Sequence, residues 1–273
     1  MTHSQPVINP VQKNHVTIAG DPAARSTLLF LHGFGTDQTA WRQIVPAFEK
    51  HHRIILMDNM GAGQSDKTFF SNTHYLNLQA YAQDLLDVCA SLQLENMVFV
   101  GHSVAGMIGV LAAIQAPQYF SKLILIGASP RYMNDSNYHG GFAKENIDAI
   151  YANVMSSYAS WATGFAAQTM GNPDRPELAR YFAASIQGQD VNHALSALCA
   201  IFQSDHRADL QKLKTPTLLV QTKEDIAVPL CVAEYMNQHI EASQLLVINA
   251  TGHLPHISAP ASVIQAIQDF LDA

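Results

Sequence analysis

Positive charge is scarce in this chain. Its 273 residues include 15 lysines and arginines against 22 aspartates and glutamates, so the formal net charge at pH 7 is -7. The basic residues are scattered along the sequence and form no cluster. Because no basic face is available to neutralise phosphate groups, we expect no nucleic-acid partner.

Long apolar runs are also missing. No uninterrupted apolar stretch approaches the roughly 18 residues that a membrane-spanning helix needs. Residues 1–10 are polar and lack the apolar centre of a signal peptide. We therefore expect a cytoplasmic protein that has no membrane partner.

Cysteines and metal-binding motifs are few. Cys89, Cys199 and Cys231 form no CxxC pair, so we expect buried, reduced thiols and neither a disulfide framework nor a cysteine-rich metal site. The chain has 13 histidines but no HExxH motif, and a proline lies between His253 and His256. We expect no metal ion in this protein.

One glycine-containing stretch superficially resembles a dinucleotide-binding loop. Gly61-Ala62-Gly63 follows Asp58, but the third glycine position of the motif is occupied by Asp66, which would repel a pyrophosphate. We interpret residues 58–65 as a turn after a strand and expect no cofactor.

Short apolar runs rich in β-branched residues alternate with stretches of helical spacing. The strands are predicted at 27–31, 53–57, 97–100, 122–126, 217–221 and 245–248, with an antiparallel edge strand at 15–18. The helices are predicted at 40–48, 78–92, 105–116, 232–239 and 261–271, the last opened by Pro260. This alternation predicts an α/β fold with a mostly parallel sheet.

The alternation stops after Ile126. From residue 129 to about residue 209 the chain is rich in Ala, Tyr, Phe and Met, with helical spacing and no clear strand, and the strand pattern restarts after Thr215-Pro216. We interpret this region as an inserted helical cap. The predicted division is a core at 1–130, a cap at 131–210 and the second part of the core at 211–273.

A candidate nucleophile lies in residues 98–106, VFVGHSVAG. A strand, a tight turn and a helix in this order are typical of a nucleophile elbow, which lifts a serine hydroxyl above the sheet. Small residues are needed on both sides of the serine; Gly101 fits, and Ala105 departs from the strict G-x-S-x-G pattern but is also small. The candidate is Ser103. A serine in such a turn without any catalytic role is the alternative for this segment alone.

A second candidate element is the buried strand that leads into His32-Gly33-Phe34-Gly35. In acyl transfer, an N–H from such a loop and the N–H after the nucleophile bind the oxyanion. This assigns the oxyanion hole to Phe34 and Val104. Taken alone, the Gly-Phe-Gly stretch is equally compatible with a simple turn.

The base and its orienting acid are expected later in the chain, each in a loop after a strand. Asp225 and His253 occupy these positions. Glu224 is the rival to Asp225, with a solvated loop carboxylate as its other interpretation, and His256 is the rival to His253, with a capping or core role. Because the elbow carries Ser103, aspartyl-ester chemistry of the kind used by haloalkane dehalogenases and soluble epoxide hydrolases is disfavoured.

Several segments together resemble the RsbQ and karrikin/strigolactone-receptor branch of the α/β hydrolases. They are Gly101-His102-Ser103-Val104, LIGASPRY at 125–132, Asn134-Asp135, YHGGF at 138–142, WATGFA at 161–166, DRPE at 174–177, FQSDHR at 202–207 and TGHLPH at 251–256. The resemblance covers nearly the whole chain. Phe48-Glu49, DRPE and the SDHR of 204–207 favour the bacterial, RsbQ-type side.

This resemblance implies an α/β-hydrolase fold with a cap of four helices in a V over an apolar pocket. It implies Ser103, Asp225 and His253 as the triad, Phe34 and Val104 as the oxyanion donors, and slow hydrolysis of small esters or butenolide-type lactones. Some members of this branch act in signalling: RsbQ acts in the stress activation of a sigma factor beside a phosphatase, and the plant members recruit an F-box protein. Sequence likeness does not transfer such a partner, so a regulatory protein partner of this chain is a hypothesis.

The pocket itself is expected to be apolar. We predict that its lining residues lie beside the nucleophile and in the cap, namely Phe34, His102, Tyr132, Trp161, Phe165 and Phe202. The leading hypothesis is a serine hydrolase of small apolar carboxylic esters or lactones that uses a Ser-His-Asp triad. The alternative is a ligand-sensing regulatory protein whose slow hydrolysis is part of signalling.

Overall fold

The structure, a computed structural model, describes residues 9–273. Most of the predicted polar segment 1–10 therefore lies outside the described residues. Within residues 9–273, seven strands form one sheet. The strands are β1 Thr17–Gly20, β2 Thr27–Leu31, β3 Arg53–Met57, β4 Met97–His102, β5 Phe120–Ile126, β6 Thr217–Glu224 and β7 Ser243–Thr251.

The sheet has the strand order β1-β3-β2-β4-β5-β6-β7. Only the edge strand β1 runs antiparallel to its neighbour among the pairs in the described residues, and the other neighbours are parallel. The predicted mostly parallel sheet is thus confirmed. Strands β2 and β3 have the predicted bounds, and the edge strand begins two residues later than predicted.

Alternation along β2 explains why the sheet is buried on both faces. Leu29 and Leu31 pack into one apolar cluster, whereas Leu28 and Phe30 pack into the cluster on the other face. A strand that is apolar at every position is typical of a parallel sheet covered by helices on both sides.

Helices cover both faces of the sheet and its carboxyl edge. They are α1 Pro10–Lys13, α2 Leu78–Ser91, α3 Val104–Gln115, α4 Lys144–Ser156, α5 Tyr158–Met170, α6 Pro176–Gln187, α7 Val191–Gln203, α8 Leu230–His239, α9 Pro255–Ser258 and α10 Pro260–Asp272. Apolar residues of α2, α3 and α8 belong to one cluster, and those of α10 belong to the other. Pro260 occupies the first turn of α10, as predicted.

Four helices, α4 to α7, lie between β5 and β6; we call them the inserted helices. They fall within the range 131–210. Helix α6 reaches the loop after β2, because a Cβ atom added to Gly35 would lie 2.7 Å from Ile186 Cγ1 and 2.9 Å from Phe182 Cε2. The inserted helices therefore lie over the carboxyl ends of the strands. Their V arrangement and the division into core and cap stay predictions.

The helix predicted at 40–48 is wrong. The segment instead forms two short 3₁₀ turns, Gln38–Trp41 and Val45–Ala47. Pro46 accounts for the break, because proline has no N–H to donate and its ring clashes with the preceding turn of an α-helix. The apolar side chains still face the core, so the periodicity indicated burial correctly and the type of helix incorrectly.

The three thiols are free, but they are not all buried. Cys89 is buried, Cys199 is half-buried and Cys231 is exposed, so the prediction of a buried thiol is wrong for Cys231. Cys231 lies in the first turn of α8, on the side turned away from the core that Val232 and Met236 enter. Within residues 9–273, no helix combines the length and apolar composition needed to cross a membrane.

Candidate active site

Ser103 lies at the junction of β4 and α3, in a backbone conformation with φ 56° and ψ -126°. Such a positive φ is uncommon for a residue with a side chain and is typical of the strained turn of a nucleophile elbow. The neighbouring chain is closely packed: a Cβ atom on Gly101 would lie 2.8 Å from the carbonyl oxygen of Ala105. Ala105 itself is fully buried, so its methyl group is accommodated where the strict motif has glycine.

The structure brings Ser103, His253 and Asp225 together from three separate loops. His253 Nε2 lies 2.7 Å from Ser103 Oγ, and His253 Nδ1 lies 2.7 Å from Asp225 Oδ2. All three side chains follow the carboxyl ends of strands β4, β6 and β7, which meet at one edge of the sheet. A carboxylate on Nδ1 fixes the imidazole tautomer whose Nε2 can accept the serine proton.

The Asp225 carboxylate is held by the loop that carries it. Its Oδ1 accepts hydrogen bonds from the backbone N–H groups of Ala227 at 2.8 Å and Val228 at 3.0 Å. Its side chain is almost fully buried, whereas Glu224 is exposed at the end of β6. Of the two rival carboxylates, the structure therefore places Asp225 on the histidine.

Both peptide groups of His253 are also hydrogen-bonded. The His253 N–H donates to the carbonyl oxygen of Thr169, in the last turn of α5, at 2.9 Å. The His253 carbonyl accepts from His102 Nε2 at 2.7 Å. Because a carbonyl can only accept, the proton of neutral His102 is on Nε2. The imidazole is thus positioned by an inserted helix on one side and by β4 on the other.

His256 lies behind this arrangement and does not reach Ser103. It is fully buried, its ring lies 4.3 Å from that of His102 and 4.6 Å from that of Trp41, and neither of its ring nitrogens has a hydrogen-bond partner. Burial, with smaller contributions from His253, His32 and Arg42, lowers the pKa of His256 to about 3. Burial likewise holds the pKa of His102 well below its usual range. Among residues 9–273, no group of His, Cys, Asp or Glu side chains is arranged to hold a metal ion.

The two residues predicted for the oxyanion hole, Phe34 and Val104, line the same cavity. Val104 is the first residue of α3, where a backbone N–H has no partner within the helix. Phe34 lies in the loop after β2, the strand that pairs with β4. Close packing holds this loop, because a Cβ atom on Gly33 would lie 2.6 Å from His102 Nδ1.

A small cavity of about 40 Å³ opens above Ser103. We call it the catalytic cavity. Of the residues predicted to line the pocket, Phe34, His102, Tyr132, Phe165 and Phe202 line this cavity. Trp161 instead lines a neighbouring groove, with its ring 6.3 Å from that of Phe34. The sequence analysis missed several further lining residues, Phe142, Thr169, Phe182, Leu198, Ile201 and Ala227.

Tyr132 covers the nucleophile. Its hydroxyl lies 3.2 Å from Ser103 Oγ. Because the single proton of Ser103 Oγ is directed at His253 Nε2, the Tyr132 hydroxyl is the donor in this contact. Burial raises the pKa of Tyr132, so the hydroxyl keeps its proton at neutral pH.

The comparison with known families agrees with the fold. The sequence profile of the alpha/beta hydrolase fold matches residues 26–260, which include Ser103, Asp225 and His253. This chain belongs to the alpha/beta hydrolase fold family. The fold class predicted from the sequence is thereby confirmed.

The relatives of this alpha/beta hydrolase include esterases and receptors. It is 40% identical to strigolactone esterase D14 of Arabidopsis thaliana over 243 residues, which cover 88% of this chain and 91% of the relative. It is 37% identical to karrikin insensitive 2 receptor CA of Petunia hybrida over 257 residues, 94% of each chain. These relatives confirm the resemblance to the karrikin/strigolactone-receptor branch.

Among solved structures, this alpha/beta hydrolase is similar to a hydrolase from Oleispira antarctica. The TM-score is 0.93 at 32% sequence identity, and the match covers 97% of this chain and 96% of the other. Together with the relatives, this similarity identifies the chain as an enzyme of the α/β-hydrolase fold with esterase-like relatives.

Proposed function

We propose that this enzyme hydrolyses small apolar carboxylic esters or lactones, including butenolide-type lactones, through a Ser103-His253-Asp225 triad. The observation that supports the proposal most directly is the continuous hydrogen-bonded series from Asp225 through His253 to Ser103, with both distances at 2.7 Å. A serine hydroxyl becomes an effective nucleophile when a positioned imidazole removes its proton.

The proposed reaction proceeds in two steps. Ser103 Oγ attacks the carbonyl carbon while its proton moves to His253 Nε2, and the backbone N–H groups of Phe34 and Val104 stabilise the oxyanion. The C–O bond to the alcohol then breaks, and the alcohol oxygen takes the proton from His253. A water molecule then attacks the acyl carbon while His253 Nε2 takes its proton. The bond between the acyl carbon and Ser103 Oγ breaks, Ser103 Oγ takes the proton back from His253, and the acid leaves.

The catalytic cavity supports a compact apolar substrate. Its volume of about 40 Å³ holds roughly three water-sized groups. Its walls are mainly aromatic and aliphatic, with polar atoms confined to the neighbourhood of Ser103 and His253. A strongly charged acyl group would lose its hydration there without gaining an ion-pair partner.

A ligand-sensing regulatory protein is the second candidate function. It is supported by the relatives named as receptors, which are 37% identical to this chain. The Tyr132 hydroxyl on the nucleophile is compatible with slow turnover. In this candidate, hydrolysis of the ligand alters the binding of a protein partner. A cytoplasmic location stays a prediction from the sequence.

Steady-state hydrolysis of p-nitrophenyl acetate and of a synthetic butenolide lactone by the wild type and Ser103→Ala tests the proposal. We expect Ser103→Ala to lose at least about 1,000-fold in kcat while its thermal unfolding stays unchanged. Full activity of a folded Ser103→Ala variant would contradict the proposal. Very slow wild-type turnover, with a protein partner that binds only when the lactone is present, would favour the sensor.

A further inference from the structure

A second cavity borders the catalytic cavity. It also has a volume of about 40 Å³ and is lined by the loops at residues 32–35 and 59–62 and by residues of α2, α3 and α7. We call it the inner cavity. Phe34 and Ile201 line both cavities, so these two side chains form the wall between them.

Regular helix spacing builds the inner cavity. Helix α7 contributes His193, Ala197 and Ile201, which are four residues apart and therefore share one face. Helix α3 contributes Val104 and Ile108 at the same spacing. Val104 is the proposed oxyanion donor, so the inner cavity lies beside the proposed oxyanion hole.

A wider groove borders the catalytic cavity along another wall. This outer groove, of about 450 Å³, is lined mainly by α4 and α5. It shares Phe142, Phe165, Thr169 and Ala227 with the catalytic cavity, and no residue lines both the outer groove and the inner cavity. The catalytic cavity therefore lies between two separate spaces.

Proton transfer distinguishes the two spaces. The leaving alcohol oxygen must receive its proton from His253 Nε2, so the alcohol lies on the histidine side of the reacting carbon. The outer groove is on this side: Thr169 accepts the His253 N–H, and the Ala227 N–H donates to Asp225. The inner cavity is not lined by His253, so it leaves room for the acyl chain, which needs no proton from the histidine.

We propose that the inner cavity is the acyl-chain subsite of this enzyme. It takes a short chain of about three to four heavy atoms beyond the carbonyl carbon. This inference rests on the proposed ester hydrolysis. The chain passes from the catalytic cavity into the inner cavity beside Phe34 and Ile201, which line both.

Filling the inner cavity tests the subsite. Ala197→Leu places a larger side chain in the inner cavity, and Ala152→Leu, on the exposed face of α4, is the matched control. The probes are the p-nitrophenyl esters of acetate and pentanoate. We expect Ala197→Leu to lower the pentanoate-to-acetate ratio of kcat/KM at least tenfold, while Ala152→Leu leaves this ratio unchanged.

An unchanged ratio in folded Ala197→Leu would overturn the subsite. If this variant does not fold, Ile108→Val decides the matter, because it enlarges the same cavity by one methylene and should raise the pentanoate-to-acetate ratio; no rise would overturn the subsite. Absence of Ser103-dependent acetate hydrolysis would instead contradict the proposed function, and the subsite with it.

Discussion

The backbone N–H of His253 donates to the carbonyl oxygen of Thr169 at 2.9 Å, which joins the loop after β7 to the last turn of α5. Asn172 Nδ2 adds a second link, a hydrogen bond of 3.0 Å to the carbonyl oxygen of Thr251. The position of the His253 imidazole therefore depends on the inserted helices as well as on the sheet. A displacement of α5 would move the imidazole relative to Ser103.

Gly252→Ala is expected to break this junction. Gly252 has φ 91°, a conformation that costs a residue with a side chain about 1–3 kcal/mol, and an added Cβ atom would overlap the carbonyl oxygen of Met170. We expect a lower melting temperature and at least a 100-fold loss of kcat/KM on p-nitrophenyl acetate. Gly188→Ala is the control, because its Cβ atom would meet no atom closer than 3.5 Å. Wild-type behaviour of Gly252→Ala would show that the junction is not needed.

The neighbouring acids Glu224 and Asp225 provide a matched pair of substitutions. Asp225→Asn retains the shape of the side chain but removes the charge that faces His253 Nδ1. We expect kcat to fall on the order of 10⁴-fold, because the imidazole loses its tautomer and its stabilising carboxylate. Glu224→Gln, at an exposed position, should stay within twofold of the wild type. If Glu224→Gln lost more kcat than Asp225→Asn in a steady-state assay, Glu224 and not Asp225 would be the acid that orients His253.

His102 is expected to act through the His253 backbone. His102→Leu removes the donor to the His253 carbonyl, whereas the side-chain amide of His102→Gln can still donate. The loss of one such hydrogen bond is worth about 0.5–1.5 kcal/mol, so we expect kcat to fall by roughly two- to tenfold in His102→Leu with KM within twofold. His102→Gln should recover most of kcat. Equal losses in both variants, or a change confined to KM, would argue against this positioning role.

Acid should destabilise the protein through His256. Its folded-state pKa of about 3 lies below the ordinary value of 6.5, so the unfolded chain binds a proton between these values that the folded protein does not bind. His256 therefore leaves the free energy of unfolding unchanged above about pH 6.5. Between this pH and about pH 3, it lowers the free energy of unfolding by up to about 1.4 kcal/mol per pH unit.

Urea unfolding of the wild type and His256→Leu between pH 7 and pH 4 measures this effect. The titratable and charged groups facing His256, namely His102, His253, His32 and Arg42, remain in both proteins. We expect the pH dependence of the unfolding free energy to be weaker in His256→Leu by close to one proton. His51→Leu, at an exposed position, should leave the wild-type slope unchanged. Parallel slopes for the wild type and His256→Leu would contradict the account.

Sequence reasoning succeeded where local pattern and chain order carry the information. The bounds of β2 were predicted because an uninterrupted apolar run is ended by His32-Gly33. The elbow at Ser103 depends on residues close in the sequence, and strand order then indicates that Asp225 and His253 lie at the same edge of the sheet.

Features that depend on distant contacts could not be predicted. The inner cavity requires Tyr81 of α2 to face His193 of α7, more than one hundred positions away, and no local pattern indicates that pairing. The hydrogen bond between His253 and Thr169 likewise depends on where α5 ends. Phe142 and Phe182 could have been suspected as lining residues, because they lie in the aromatic-rich inserted region. Their spacing in the sequence, however, does not distinguish side chains that line a cavity from side chains that pack in the core.

Intact-protein mass spectrometry of the wild type and Ser103→Ala, quenched within seconds of mixing with p-nitrophenyl acetate, tests the central claim most directly. The proposed mechanism predicts that one acetyl group is added to the wild type, that peptide mapping places it on Ser103, and that Ser103→Ala remains unmodified. Continued hydrolysis by Ser103→Ala at the wild-type rate, or an acetyl group on another side chain that is required for turnover, would contradict it.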